Sequence, residues 1–513
     1  QNQLCWRRNT LATIMATTGA SDLSASIVQT ADEPRPLPHV VLLASPGMGH
    51  LIPLAELARR LAVDHGFAAT IVTLTNLSDA AADATVLSSM PASVSTAVLP
   101  AVALDDLPPG VGFGTLMFEL LRRSLPHLRA ALMGSAAGLG PTAALVCDFF
   151  GTAALPLAAD LGVPGYVFFP NSFTLVSVMR RLAELHDGAA PGEYRDLPDT
   201  LRLPGCVPLR HAELPDGFRD RTDPVYAYLV EEARRYGRAD GFLVNSFEEL
   251  EPAVAEAFDR DAAAGAFPPV YPVGPFVRSS SSDEEADELD CLGWLDRQPA
   301  GSVLYVSFGS GGALSVKQTA ELATGLETSG HRFLWVVRMP SHDGNNNALG
   351  GDGSDRSKGD PLAWLPEGFL ERTKSRGLAV AGWAPQVRVL AHPATAGFMS
   401  HCGWNSTLES LASGVPMITW PLYAEQKMNA AILTELTGVA LRPAVRREDG
   451  FVAGEEVVAV VRELMEGEKG RAVRQQARRL QEAAARACTP EGPSRQGLEK
   501  VAGKWMAGLR NGD

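Results

Sequence analysis

The sequence predicts an α/β protein built from two doubly wound, Rossmann-like domains that face each other across a cleft. Three observations carry that expectation. At 513 residues the chain exceeds what one hydrophobic core supports, so two domains are expected. Two separate series of short apolar runs alternate with helical periodicity, the pattern of parallel sheets buried on both faces. Between the series, Arg278 to Asp290 has almost no apolar residue and cannot support burial.

In the first series, His39 to Ser45 is a short apolar run that ends at Pro46 and Gly47, which suits a strand. Leu54, Leu57, Ala58 and Leu61 follow at i, i+3, i+4 and i+7, predicting a helix, and Ala68 to Leu74 reads as the next strand. Further strands are expected at Ala143 to Cys147, Gly165 to Phe169 and Gly241 to Val244. The second series starts at Ser302 to Phe308 and continues at Arg332 to Val337, Leu378 to Ala381, Ala396 to Ser400 and Val415 to Ile418. Pro340 to Lys358, rich in Gly, Asn, Asp and Ser, reads as a surface insertion. After Gly454 the pattern becomes helical and charged, with Arg471 to Arg486 a solvated face. The expected division is a leader at 1–38, a first domain at 39–275, a linker at 276–291, a second domain at 292–490 and a final segment at 491–513.

Composition narrows the function. A formal net charge of -14 with no Lys/Arg block gives a nucleic-acid backbone nothing to bind. Six cysteines lie far apart with no Cys-x-x-Cys pair, which excludes a zinc ribbon or disulfide framework and suits a reducing compartment, the cytoplasm. The most apolar stretch, Ala143 to Pro170, is broken by Asp148, Pro156, Asp160 and Pro164, so no transmembrane helix is expected. Met15 reads as a candidate start, and the stretch before it lacks the apolar region of a secretory signal; being poor in acids, it leaves an organelle transit peptide open.

In open α/β sheets ligands bind beyond the carboxyl ends of the strands, so strand exits are where chemistry belongs. His50 closes the loop Ser45-Pro46-Gly47-Met48-Gly49-His50, whose two glycines suit a tight turn at the mouth of the first helix. A lone histidine is usually structural, but Asp148 follows another strand of the same domain and could orient it, fixing one tautomer as in hydrolytic triads. The alternative is that Asp148 caps the helix expected over Gly151 to Leu161. In the second domain, His401 to Ser406 lies between a strand and a helix expected from Asn405 to Ala412, so free backbone N–H groups point into the cleft and suit a phosphate. Trp383 offers a face for a base, and Glu409 an acceptor for ribose hydroxyls. The Phe308-Gly309-Ser310-Gly311-Gly312 loop could approach a diphosphate. Packing roles for Trp383 and Trp404, and capping roles for Asn405 and Ser406, are the alternatives. No Gly-x-Ser-x-Gly elbow supports an α/β hydrolase, and no Asp-x-Asp pair or His/Cys cluster suggests a metal.

Trp383 to Gln426 resembles, along its whole length, the sugar-nucleotide signature of family 1 plant UDP-glycosyltransferases, with Trp-Ala-Pro-Gln at its start, His-Cys-Gly-Trp-Asn-Ser in the middle and Glu-Gln at its end. The Gly47-x-Gly49-His50 loop and Asp148 extend the resemblance into the first domain. It implies a GT-B fold, with the acceptor held mainly by the first domain, UDP-glucose as co-substrate in the second, no metal, and a last helix, within 491–513, packed back on the first domain. It further implies that Trp383 stacks on uracil and Ala384 contacts its edge, and that Gln386 and Glu409 hold the ribose. Ser310, His401, Asn405 and Ser406 would hold the diphosphate, and Trp404, Glu425 and Gln426 the sugar. Many members carry Asp where this chain has Glu425. His50 would be the general base and Asp148 its partner, inverting the sugar to a β-glucoside. The stretches Trp420 to Ala430 and Ser45 to Pro53 resemble the hydroquinone and monolignol glucosyltransferase group, implying a small phenolic acceptor, a monomer, and a place in plant secondary metabolism or xenobiotic detoxification. Phe118, Phe149 and Phe169 are candidates for an aromatic pocket, with core packing the commoner fate of such residues. Another UDP-sugar as donor, or a sugar-nucleotide-binding protein without turnover, are the competing readings; the presence of both His50 and Asp148 argues against the second.

Overall fold

A computed structural model describes residues 36–135, 141–188, 200–277, 291–341, 359–446 and 450–511. Most of the expected leader, the linker stretch 278–290 and the insertion from 342 to 358 lie outside the described residues.

The first half runs through β1 (His39–Leu43), β2 (Ala68–Leu74), β3 (Val94–Leu99), β4 (Thr142–Asp148) and β5 (Gly165–Phe169). A small antiparallel pair, β6 (Thr200–Leu201) and β7 (Leu209–Arg210), precedes β8 (Gly241–Val244) and β9 (Val270–Pro272). Seven of these strands form one parallel sheet in the order β3-β2-β1-β4-β5-β8-β9. Alternation along β1 feeds two layers: Val41 and Leu43 join one core, Val40 and Leu42 the other, because successive side chains leave opposite faces. The helix Met48–His65 buries Leu54, Leu57, Ala58 and Leu61, the apolar stripe expected from their spacing, together with Leu51, and stops at the left-handed Gly66.

The second half contains β10 (Val303–Ser307), β11 (Arg332–Val337), β12 (Gly377–Ala381), β13 (Thr395–Ser400), β14 (Met417–Thr419) and β15 (Ala440–Leu441). They form a six-stranded parallel sheet in the order β12-β11-β10-β13-β14-β15. Leu304 and Val306 face one layer, Val303 and Tyr305 the other. Expectation and structure part at the sheet edges. β3, β9 and β15 were not anticipated: β3 is half exposed and alternating, β9 ends on a proline tolerated only at an edge, and β15 is two residues long. β14 begins two residues after the expected Val415, because Val415 and Pro416 still belong to the turn that delivers the strand.

The last helix, Pro493–Asn511, crosses to the first sheet, where Leu498, Val501 and Trp505 join the layer of Val40 and Leu42. Trp505 meets Phe67 and Tyr166 edge-on at 5.9 and 5.2 Å. Arg495 pairs with Asp64 at 2.5 Å, and Lys504 donates to the Tyr271 hydroxyl at 2.7 Å. Emptying a buried tryptophan site of this kind costs about 3–5 kcal/mol, so this helix is a strap rather than a tail. Phe276, expected in the linker, is packed in the same layer. Among the described residues no helix is long and apolar enough to cross a membrane.

Candidate active site

Each sheet grows outward in both directions from a pair of neighbours, β1/β4 in the first and β10/β13 in the second, and a crevice opens at such a switch point. Pairing of Leu43 with Cys147 brings the residues after β1 beside Asp148. Gly47 takes φ +107, a value open to glycine, and turns the chain into the helix that starts at Met48. Only Gly47 needs that freedom: Gly49, expected to share in the turn, lies in the first helical turn beside His50. His50 Nδ1 stands 3.0 Å from Asp148 Oδ2, with the ring turned off the line of a hydrogen bond.

Asp148 is fully buried, and its carboxylate accepts from the Ser45 backbone N–H at 3.0 Å and from the Ser45 hydroxyl at 2.6 Å. It makes no side-chain cap to the turn that follows, Phe149–Ala154, so the capping alternative fails: its oxygens are already committed to β1's exit and to His50. Ser45, not named as a site residue from sequence although it stands at the exit of β1, is what holds this carboxylate. Of the candidate pocket aromatics, Phe149 lies 5.7 Å from the His50 ring, centroid to centroid. Phe150, not singled out from sequence, lies at 5.3 Å. Phe169 is wholly core and Phe118 nearly so, reaching the site only through Phe150 at 4.9 Å.

At the second switch, Ser307 pairs with Ser400, so the glycine turn after β10 and His401 after β13 are neighbours. Gly309, at φ +74, passes so close to the imidazole that a Cβ there would lie 2.5 Å from Nε2 of His401, and a Cβ on Gly403 would lie 2.4 Å from the same nitrogen. His401 is therefore closely approached by two glycines, and burial lowers it to about 4, which makes it a neutral ring instead of the charged partner that a diphosphate calls for. Ser310 is exposed on the same loop.

The helix Trp404–Ala412 starts one residue earlier than expected and buries Trp404, Leu408 and Leu411 at i, i+4 and i+7. Gly403 at its N-cap offers no side-chain acceptor, and no acidic residue stands in the first turn, so the positive end of the helix stays open to an anion. Gln386 bridges Ser406 and Glu409, donating at 2.8 and 2.7 Å, which brings three of the expected donor-site residues into one cluster. Trp383, 44% exposed, stands at the exit of β12 with Ala384 buried behind it. The Trp404 indole N–H is given to the Asn245 carbonyl at 2.7 Å, across the domain boundary, so that donor is already taken. The Gln426 amide oxygen accepts from the N–H groups of Leu422 and Tyr423 at 2.8 and 3.1 Å, which fixes the direction of its NH₂. Burial raises the Glu425 carboxyl, while the facing His50 and the Asn171 amide pull the other way.

The two sites meet. Asn405, at the start of the second domain's helix, donates to the Gly49 carbonyl at 3.3 Å, one residue from His50. Among the described residues no group of three or more His, Cys, Asp or Glu side chains is arranged to hold a metal ion.

Two Rossmann-like domains with a histidine–carboxylate pair on one side of the cleft and an open helix N-terminus on the other define a nucleotide-sugar-dependent transferase of the GT-B fold. The comparisons agree. Residues 260–469 match the model of the family described as "UDP-glucoronosyl and UDP-glucosyl transferase". The chain is 47% identical over 471 residues to UDP-glycosyltransferase 72B1 of Arabidopsis thaliana, covering 92% of this chain and 96% of that protein. It is 45% identical over 468 residues to hydroquinone glucosyltransferase of Rauvolfia serpentina, covering 91% and 98%. The structure of Phytolacca americana UGT2 complexed with UDP-2fluoro-glucose and pterostilbene superposes with a TM-score of 0.81 at 43% identity, covering 91% of this chain and all of that one. The chain belongs to the UDP-glycosyltransferase family, and within it to the plant family 1 enzymes resembling hydroquinone glucosyltransferase.

Proposed function

We propose that this enzyme transfers glucose from UDP-glucose to a hydroxyl of a small phenolic acceptor, with inversion to a β-glucoside. The observation that carries the reading is the hydrogen bond from Asn405 to Gly49, which sets the mouth of the donor helix against the loop that presents His50. In the proposed step the acceptor oxygen attacks the anomeric carbon, the carbon–phosphate-oxygen bond breaks, and UDP leaves with the electron pair. His50 takes the acceptor proton, and Asp148, held by Ser45, fixes the ring and stabilises the imidazolium. A phenol is a much weaker acid than an imidazolium, so the proton passes to the ring only as the new bond forms, and the base acts in the transition state.

Within the second domain (292–490), Trp383 stacks on uracil with Ala384 at its edge, and Gln386 and Glu409 hold the ribose. Ser310, Asn405, Ser406 and the neutral His401 hold the diphosphate, whose growing charge is met by the helix N-terminus. That assignment asks for no metal. Trp404, through its backbone, and Glu425 and Gln426, through their side chains, contact the sugar. The acceptor belongs to the first domain (39–275), against Phe149 and Phe150. The names of the Rauvolfia relative and of the Phytolacca complex support a glucosyl donor and a phenolic acceptor. The five described cysteines are free, which supports a reducing compartment, and we place the enzyme in the cytoplasm.

The test is a donor and acceptor screen on purified protein, with the anomeric configuration of the product read by NMR. His50→Ala is expected to lower kcat by at least about a hundredfold while the affinity for UDP holds. Parental turnover in that variant removes His50 from the mechanism.

A further inference from the structure

The segment proposed to contact the sugar, Ala424 to Gln426, is gripped from the opposite domain at two consecutive residues. Asn171, just past the exit of β5, donates from Nδ2 to Glu425 Oε1 at 3.0 Å. Asp216 closes a two-bond ring on Ala424: its carboxylate accepts the Ala424 N–H at 2.7 Å, and its own N–H donates to the Ala424 carbonyl at 3.3 Å. Ala424 sits at φ +53, a left-handed conformation that a non-glycine residue adopts at a cost, so the grip from Asp216 falls where the segment needs support.

Asn171 is itself immobilised. It is buried, and its Oδ1 accepts from the Ser172 N–H at 2.7 Å, which leaves the NH₂ aimed across the cleft. The buried Glu251 carboxylate secures the next two residues, accepting from the N–H groups of Phe173 and Thr174 at 2.9 Å each. A carboxylate opposite an imidazole is free to rotate towards it, and an ion pair between Glu425 and His50 would block the base and withdraw the sugar acceptor together.

We propose that Asn171 is a positioning residue for the donor sugar, acting through Glu425, so that the first domain takes part in recognising the hexose. This rests on the reading of Glu425 as a sugar contact. One amide N–H of Asn171 on one carboxylate oxygen fixes the direction in which Glu425 meets the hydroxyls of a hexose.

The test compares Asn171→Ala, Glu425→Gln and the double variant, using KM for UDP-glucose, the dissociation constant for UDP and thermal melting. Asn171→Ala is expected to raise KM for UDP-glucose about tenfold, the worth of one hydrogen bond to a charged group, with UDP affinity unchanged, while melting reads the separate cost of freeing the Ser172 N–H. Asn171→Asp, which sets two carboxylates face to face, should cost more than Asn171→Ala. Adding Asn171→Ala to Glu425→Gln should cost little beyond Glu425→Gln alone, since the two act as one unit. Multiplying effects would overturn the coupling, and a UDP affinity that falls in step with UDP-glucose would reduce Asn171 to a structural role. If Glu425→Gln is damaging and Asn171→Ala silent, this inference alone is lost; if Glu425→Gln is itself silent, the sugar assignment falls and the inference with it.

Discussion

At the β1/β4 switch the strand exits carry a buried carboxylate and an imidazole 3.0 Å apart; at the β10/β13 switch they carry a glycine turn, a histidine lowered to about 4 and the open end of a helix. The backbone device is the same, two diverging strands and a crevice. The chemistry differs because of what stands beside each imidazole. His50 has Asp148 as an anionic partner, which suits a ring that gains a proton during a reaction. His401 has two glycines against it and no carboxylate partner among the described residues, which suits a ring that donates one hydrogen bond and never charges. The topology supplies a place for chemistry, and single side chains decide which chemistry it is.

That contrast can be broken at either switch. The largest effect after loss of His50 itself is expected from Asp148→Asn, in which the amide can still accept from Ser45 but no longer holds the imidazole in its working tautomer. Its kcat should fall about a hundred- to ten-thousandfold with UDP affinity unmoved. A matching loss of UDP affinity, measured by calorimetry, would show that the two switches are not chemically separate. Trp383→Ala acts at the other end of the cleft: loss of a stacking face worth about 1–3 kcal/mol should weaken UDP about five- to 150-fold and leave kcat at saturating donor nearly intact. A drop in kcat at saturation would place Trp383 in the chemistry of transfer and erase the division of labour.

The smallest expected effect is a null. An imidazole with the usual value of about 6.5 would charge as the pH falls through that point and tighten a diphosphate. With burial lowering His401 to about 4, its cationic form is absent above roughly pH 5, so affinity for UDP-glucose should be flat between about pH 5.5 and 7.5. Tightening through pH 6.5 that disappears in His401→Gln would show a charged ring and make the two switches alike.

Much of this was open to reading in the one-dimensional chain. Central strands such as β2, β5, β8 and β11 fall where the apolar runs stand, because a strand buried on both faces must be apolar throughout. The edge strands β3 and β15 escaped, since β3 alternates and β15 is short, and neither differs locally from a loop. The donor-side residues lie within one stretch, Trp383 to Gln426, so their spacing alone announced a site.

What the sequence by itself determined is therefore whatever is local: the buried strands, the amphipathic helices, and a cluster whose members are near neighbours in the chain. Only the tertiary structure decided the contacts that cross long separations: Ser45 on Asp148 over 103 residues, Asn171 on Glu425 over 254, and Asn405 on Gly49 over 356. It also decided that the Trp404 indole serves the domain boundary and that His401 stays neutral. The physical reason is that hydrogen-bond partners and desolvation are properties of the assembled environment, and identical residues in the same order give no sign of either until the two sheets close on one another.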